Sequence, residues 1–98
     1  MVVRWTPRAV EDLKDIAGYI SADNPQVARV YADKLKRRAE SVGSFPKRGR
    51  VLPELGRDDV RELIEGNYRI VYRVRAEAID ILTIFEGHKL FKGLDPHH

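Results

Sequence analysis

Apolar and polar residues change their spacing twice along this chain, and the changes divide it into elements. Met1 to Trp5 is short and rich in β-branched residues, which predicts a first strand. Thr6 and Pro7 then supply a helix start. Threonine is a good N-cap, and proline at the first helical position lacks only an N–H that would go unused. Val10, Leu13, Ile16, Ala17 and Ile20 follow at helical spacing, while Glu11, Asp12, Lys14 and Asp15 fall mostly elsewhere on the helix. The stretch Ser21-Ala22-Asp23-Asn24-Pro25 ends this helix and caps a second one. Ala28, Tyr31, Leu35, Ala39 and Val42 mark the inner face of the second helix. Its last turns carry Lys34, Lys36, Arg37 and Arg38, which suits the negative end of a helix dipole.

From Gly43 to Asp59 no period persists, and Gly43, Pro46, Gly49, Pro53 and Gly56 punctuate the segment. A loop of that length in a small domain is a candidate for function. Three strands are predicted near 60–64, 68–75 and 79–86, with turns at Gly66-Asn67 and around Ala76-Glu77. Tyr68, Ile70, Tyr72 and Val74 alternate with Arg69, Val71, Arg73 and Arg75. One face of that strand is therefore apolar, and the other carries guanidinium groups about 7 Å apart. The last strand is almost continuously apolar, which predicts a place inside the sheet with both faces covered. The order is β-α-α-β-β-β. It predicts an α+β fold with a helical hairpin packed on one face of a small, mainly antiparallel sheet, as a single domain over residues 1–98.

Composition narrows the chemistry. Apolar residues at 43% and charged ones at 34% fit a soluble globular protein with a heavily charged surface. Lys+Arg 18 against Asp+Glu 15 leaves only +3, so net charge alone is a weak argument for nucleic acid. The absence of cysteine removes disulfides, thiolate metal sites and thiol catalysis together. His88, His97 and His98 lie at the C-terminal end without ligand spacing, so no metal or cofactor is expected. No apolar run approaches the ~20 residues needed to cross a bilayer, so no membrane association is expected and a cytoplasmic location is.

The arginine row repels itself unless carboxylates, phosphates or an acidic partner stand opposite. Arg61 and Arg69 suit either an internal bridge to Glu62, Glu65 or Asp80, or a partner's carboxylate or phosphate, which the guanidinium fork matches bidentately. Glu54 is expected to pair with Arg50, Arg57 or Arg61. The hairpin register decides where Arg61 points. A two-residue turn puts it on the Tyr72 face, and a three-residue turn puts it with Arg69 and Val71. Tyr68 and Tyr72 are expected to pack beneath the helices rather than to stack on bases.

Several segments, in order, carry a resemblance. After Trp5-Thr6-Pro7 come Phe45-Pro46-Lys47-Arg48-Gly49-Arg50, Pro53-Glu54-Leu55, Val60-Arg61-Glu62-Leu63 and Tyr68-Arg69-Ile70-Val71-Tyr72. Together they resemble the RelE/ParE superfamily of type II toxins, over nearly the whole chain. The resemblance implies a small growth-inhibiting toxin, neutralised by a cognate antitoxin whose flexible segment wraps it. Operator DNA would be met only indirectly, through the antitoxin. RelE-like members cut mRNA in the ribosomal A site, and ParE-like members inhibit DNA gyrase.

Departures from the RelE-type pattern favour the second kind. Glu86 stands at the usual histidine and Lys89 at the usual arginine of the closing turn, with His88 two residues late. Val60-Arg61-Glu62 replaces a lysine pair, and no tyrosine follows Phe91. The expected function is that of a ParE-like gyrase inhibitor acting by binding, with Arg61, Arg69, Arg73 and Arg75 as its target or antitoxin surface. The alternative is a RelE-like ribosome-dependent mRNA endoribonuclease. Arg61, Arg69 or Arg73 would then hold the phosphorane charge, Glu54 or Glu62 would be the base, and His88 or Lys89 the acid.

Overall fold

Thr6 caps the first helix as its place before Pro7 predicts: its Oγ1 accepts the Ala9 N–H at 3.1 Å and opens α1 (Pro7–Ser21). Asn24 does the same for α2 (Pro25–Glu40), accepting the N–H groups of Gln26 and Val27, each at 3.1 Å. The computed structural model describes residues 1–87. Within them the strands are β1 (Val2–Trp5), β2 (Arg50–Val51), β3 (Val60–Glu65), β4 (Tyr68–Val74) and β5 (Ala78–Glu86). They form one sheet in the order β1-β5-β4-β3-β2. β1 runs parallel to β5, and the other pairs are antiparallel. The architecture is the expected α+β one, with the two-residue β2 added inside the aperiodic segment. β5 has β1 on one side and β4 on the other, and most of its residues are buried.

The helices cover one face. Ala9, Leu35, Ala39 and Val42 pack there with Leu63, Ile70, Tyr72, Ile79, Ile81 and Ile84. On the opposite face Leu52, Val60, Val71 and Leu82 form a smaller cluster, with Leu55 and Phe85 packed against it. The alternation in β4 therefore sorts its side chains as expected, with Ile70 and Tyr72 toward the helices and Val71 away from them. β5 keeps this two-sided packing through a bulge. Thr83 pairs with Val71 and Ile81 with Tyr72, so Leu82 is the extra residue. The inward positions consequently step from Ile79 and Ile81 to Ile84. Asp12 of α1 ties helix to bulge by accepting from Thr83 Oγ1 and from the Ile84 N–H at 3.1 Å.

Glu65 pairs with Tyr68, so the β3–β4 turn has two residues, Gly66 and Asn67. Gly66 has φ +58°, the left-handed conformation this turn needs at its first position, and a Cβ there would run into the Tyr31 hydroxyl. That turn settles the register. Arg61 lies opposite Tyr72, and Glu62 opposite Val71. Arg61 is therefore on the helix side of the sheet, and Arg69 is on the other side.

Candidate functional site

On the outer face, β4 carries Arg69 one step along the sheet from Glu62 of β3. Arg69 Nε bonds Glu62 Oε1 at 3.1 Å, and Nη2 bonds Oε2 at 2.5 Å. The loop between β2 and β3 brings Glu54 over the same guanidinium. Nη1 meets Oε2 and Nη2 meets Oε1, both at 2.8 Å. Arg50 adds a bond to Glu62 Oε1 at 3.3 Å, and the Phe85 ring lies 5.1 Å from the Arg69 guanidinium carbon. Glu62 is 1% exposed and Arg69 7%. Hydrogen bonds to Glu54 and then Glu62 raise the Arg69 pKa against the opposing effect of burial, so this arginine stays charged. Glu54, expected to pair with Arg50, Arg57 or Arg61, pairs bidentately with Arg69, which that expectation did not name. The loop folds across the sheet, which brings the glutamate to β4.

The rest of the row is neutralised in the same way. Arg73 bonds Asp59 at 3.1 Å, and Arg57 bonds the same carboxylate at 2.7 Å. The Arg57 hydrogen bond, with Arg73 beside it, holds Asp59 below the usual carboxylate range even though burial pushes the other way. Arg75 and Arg4 share Asp80 at 2.5 and 3.0 Å. Burial pushes the Asp80 carboxyl up, and its bonds from Arg75 and Arg4 outweigh that and lower it. The anions that the arginine row demands are, in the main, this chain's own.

On the helix side, Arg61 and Tyr72 meet a different segment. The Tyr72 hydroxyl accepts the Gly49 N–H at 2.9 Å and donates to the Pro46 carbonyl at 2.8 Å. Arg61 donates to the Gly49 carbonyl at 2.9 Å and to Asp58 through its carboxylate at 2.7 Å and its carbonyl at 3.1 Å. Burial raises the Tyr72 pKa, and the Gly49 N–H only partly offsets it, so the phenol stays protonated. A bond from the Arg48 N–H to the Phe45 carbonyl at 3.0 Å closes a turn with Pro46 at its second position. Tyr68 packs edge-on against Tyr31 at 5.7 Å between ring centres, as its place in the alternation predicts.

The residues named for RNA cleavage are thus divided. Glu54, Glu62, Arg69 and Arg73 share the outer face, and Arg61 is on the other. His88 and Lys89 lie outside the described residues. Among the described residues no group of His, Cys, Asp and Glu could hold a metal ion. No helix there is long and apolar enough to cross a membrane. The Gly49 clamp is not legible from periodicity. Pro46 and Gly49 around two cations signal a turn, but nothing local names Tyr72 and Arg61 as its anchors.

Comparison with known proteins agrees with this architecture. Residues 3–91 match the family model described as the ParE toxin of a type II toxin–antitoxin system, parDE. Toxin RelE2 of Caulobacter vibrioides is 36% identical over 89 residues, covering 90% of this chain and 97% of the relative. Among solved structures, a chain of the chromosomal ParDE system from P. aeruginosa superposes with a TM-score of 0.73 at 25% identity, over 88% of this chain and 95% of that one. A chain of the RelBE2 toxin–antitoxin complex from Mycobacterium tuberculosis does so at 0.60 and 25%, over 87% and 95%.

Proposed function

The chain belongs to the ParE toxin family of type II toxin–antitoxin systems, and from that premise we propose that it stops growth by binding and inhibiting DNA gyrase in the cytoplasm. A cognate antitoxin holds it inactive, as the likeness to chains of two toxin–antitoxin systems supports. The observation that carries the gyrase reading is the state of Arg69. In-line RNA cleavage needs a cation free to take up phosphorane charge. Arg69 already holds two carboxylates, and Arg61 faces the opposite side of the sheet with bonds to Gly49 and Asp58.

In this reading the buried part of the arginine surface, Arg61 and Arg69, shapes the fold around it. Arg73 and Arg75, nearer solvent, remain the part that a target or antitoxin reaches. The test is induced expression without antitoxin, with replication and translation followed in parallel. Replication arrest with intact messages is expected, and early loss of translation with cut messages would refute it.

The likeness to RelE2 favours a second reading, a ribosome-dependent endoribonuclease. It requires Glu54 to leave Arg69 so that the guanidinium can meet phosphate. Primer extension on translating ribosomes would then show A-site cuts that vanish in Arg69→Gln.

A further inference from the structure

Two cations without a carboxylate partner among the described residues lie outside the arginine row, in the turn between α2 and β2. No carboxylate among the described residues pairs with Lys47 or Arg48. Both are exposed, and Phe45 beside them shows 57% of its surface to solvent. The Arg48 guanidinium lies over the Phe45 ring, 4.7 Å from its centre. Ser44, Phe45, Pro46, Lys47 and Arg48 line a shallow depression of about 640 Å³. An exposed aromatic ring and two unpaired cations in five residues are an uncommon combination on a surface where most arginines are neutralised.

The turn is also held still. Tyr72 grips Pro46 and Gly49, and Arg61 grips Gly49 from the other side. A Cβ at Gly49 would run into the Glu62 carbonyl, so backbone and sheet are in close contact here. A rigid presentation lowers the ordering cost that binding must overcome.

We propose that the Phe45–Arg48 turn is a docking site for an acidic peptide segment carrying one apolar side chain. Resting on the family-based reading above, that segment belongs to the cognate antitoxin. Charge complementarity selects an acidic occupant, and the exposed ring with its shallow depression selects an apolar anchor beside the acid. A carboxylate fits the Lys47 and Arg48 head groups as a charge-assisted pair. A nucleic acid fits less well. Tight binding of a polyanion takes a track of cations, about six to ten phosphate contacts. This patch offers only Lys47 and Arg48, with the exposed Asp58 carboxylate held close to it by Arg61, which also bonds Gly49.

The test is calorimetric titration of the purified chain with the polypeptide encoded by the adjacent reading frame. Lys47→Glu with Arg48→Glu is expected to weaken binding by about tenfold or more and to flatten its salt dependence. Phe45→Ala is expected to weaken it by a similar factor with the salt dependence retained. Thermal unfolding of the variants at the wild-type temperature excludes a folding defect, because all three side chains are exposed. Wild-type affinity in both variants overturns the docking site while leaving the antitoxin partnership intact. A wild-type chain that binds no such polypeptide contradicts the toxin–antitoxin premise as well. Lost affinity for a fluorescent DNA duplex, with antitoxin affinity unchanged, overturns the proposal in favour of nucleic acid.

Discussion

Tyr72 and Arg61 face one another across β3 and β4 and hold the same residue from its two ends. Tyr72 takes the Gly49 N–H and Arg61 donates to the Gly49 carbonyl, both at 2.9 Å. The hydroxyl of a buried tyrosine and a largely covered guanidinium thereby fix a basic turn that has no regular structure of its own. In Tyr72→Phe the ring still fills its space, but the Gly49 N–H and the Pro46 carbonyl lose their partner. The expected cost is about 1–3 kcal/mol in urea unfolding. Faster amide exchange at Gly49 than elsewhere in the sheet would locate the effect in the turn.

Arg69 behaves as the centre of a buried ion cluster. Removing one member leaves the others charged and unpaired, so Arg69→Ala is expected to cost about 3–5 kcal/mol. Replacing the pair together, Arg69→Met with Glu62→Leu, should cost clearly less than the sum of the single changes, as for groups that act as a unit. Glu54 is more open to water, and Glu54→Gln should cost less than either. A double-mutant cycle by urea denaturation reads all of this, and additive single effects would contradict the cluster.

Asp80 makes stability depend on pH in a definite direction. Its carboxyl is lowered below the ordinary 3.8 in the folded chain. The unfolded chain therefore binds the proton first as pH falls. The contribution is complete above the unfolded value and is lost as pH drops through the folded one. Urea midpoints of the wild type should fall from about pH 4 downward more steeply than those of Asp80→Asn. Equal slopes would show that the Arg75 and Arg4 bonds do not hold the carboxylate.

Much of this architecture is legible in the sequence, because its elements are periodic. The caps at Thr6 and Asn24, the alternation from Tyr68 to Val74 and the turn at Gly66-Asn67 each follow from local chemistry. The bulge at Leu82 is not legible, since in a nearly continuous apolar run a change of face leaves no mark. β2 is too short to show a period. The site was harder to read for a different reason. Arg69 and Glu54 are fifteen positions apart, joined only because the loop after β2 folds across the sheet. Arg61 and Arg69 read as one surface until the turn length separates them. The arginine row signalled a need for anions correctly, and its spacing could not say that the chain supplies them itself.

Gyrase inhibition by direct binding, as proposed, has a readout that needs no cells. The most direct measurement is the supercoiling of relaxed plasmid by purified gyrase as purified toxin is added. Supercoiling should fall in a dose-dependent way and return when the antitoxin is supplied in excess. Unchanged supercoiling at a large molar excess of folded toxin would rule out gyrase as its target.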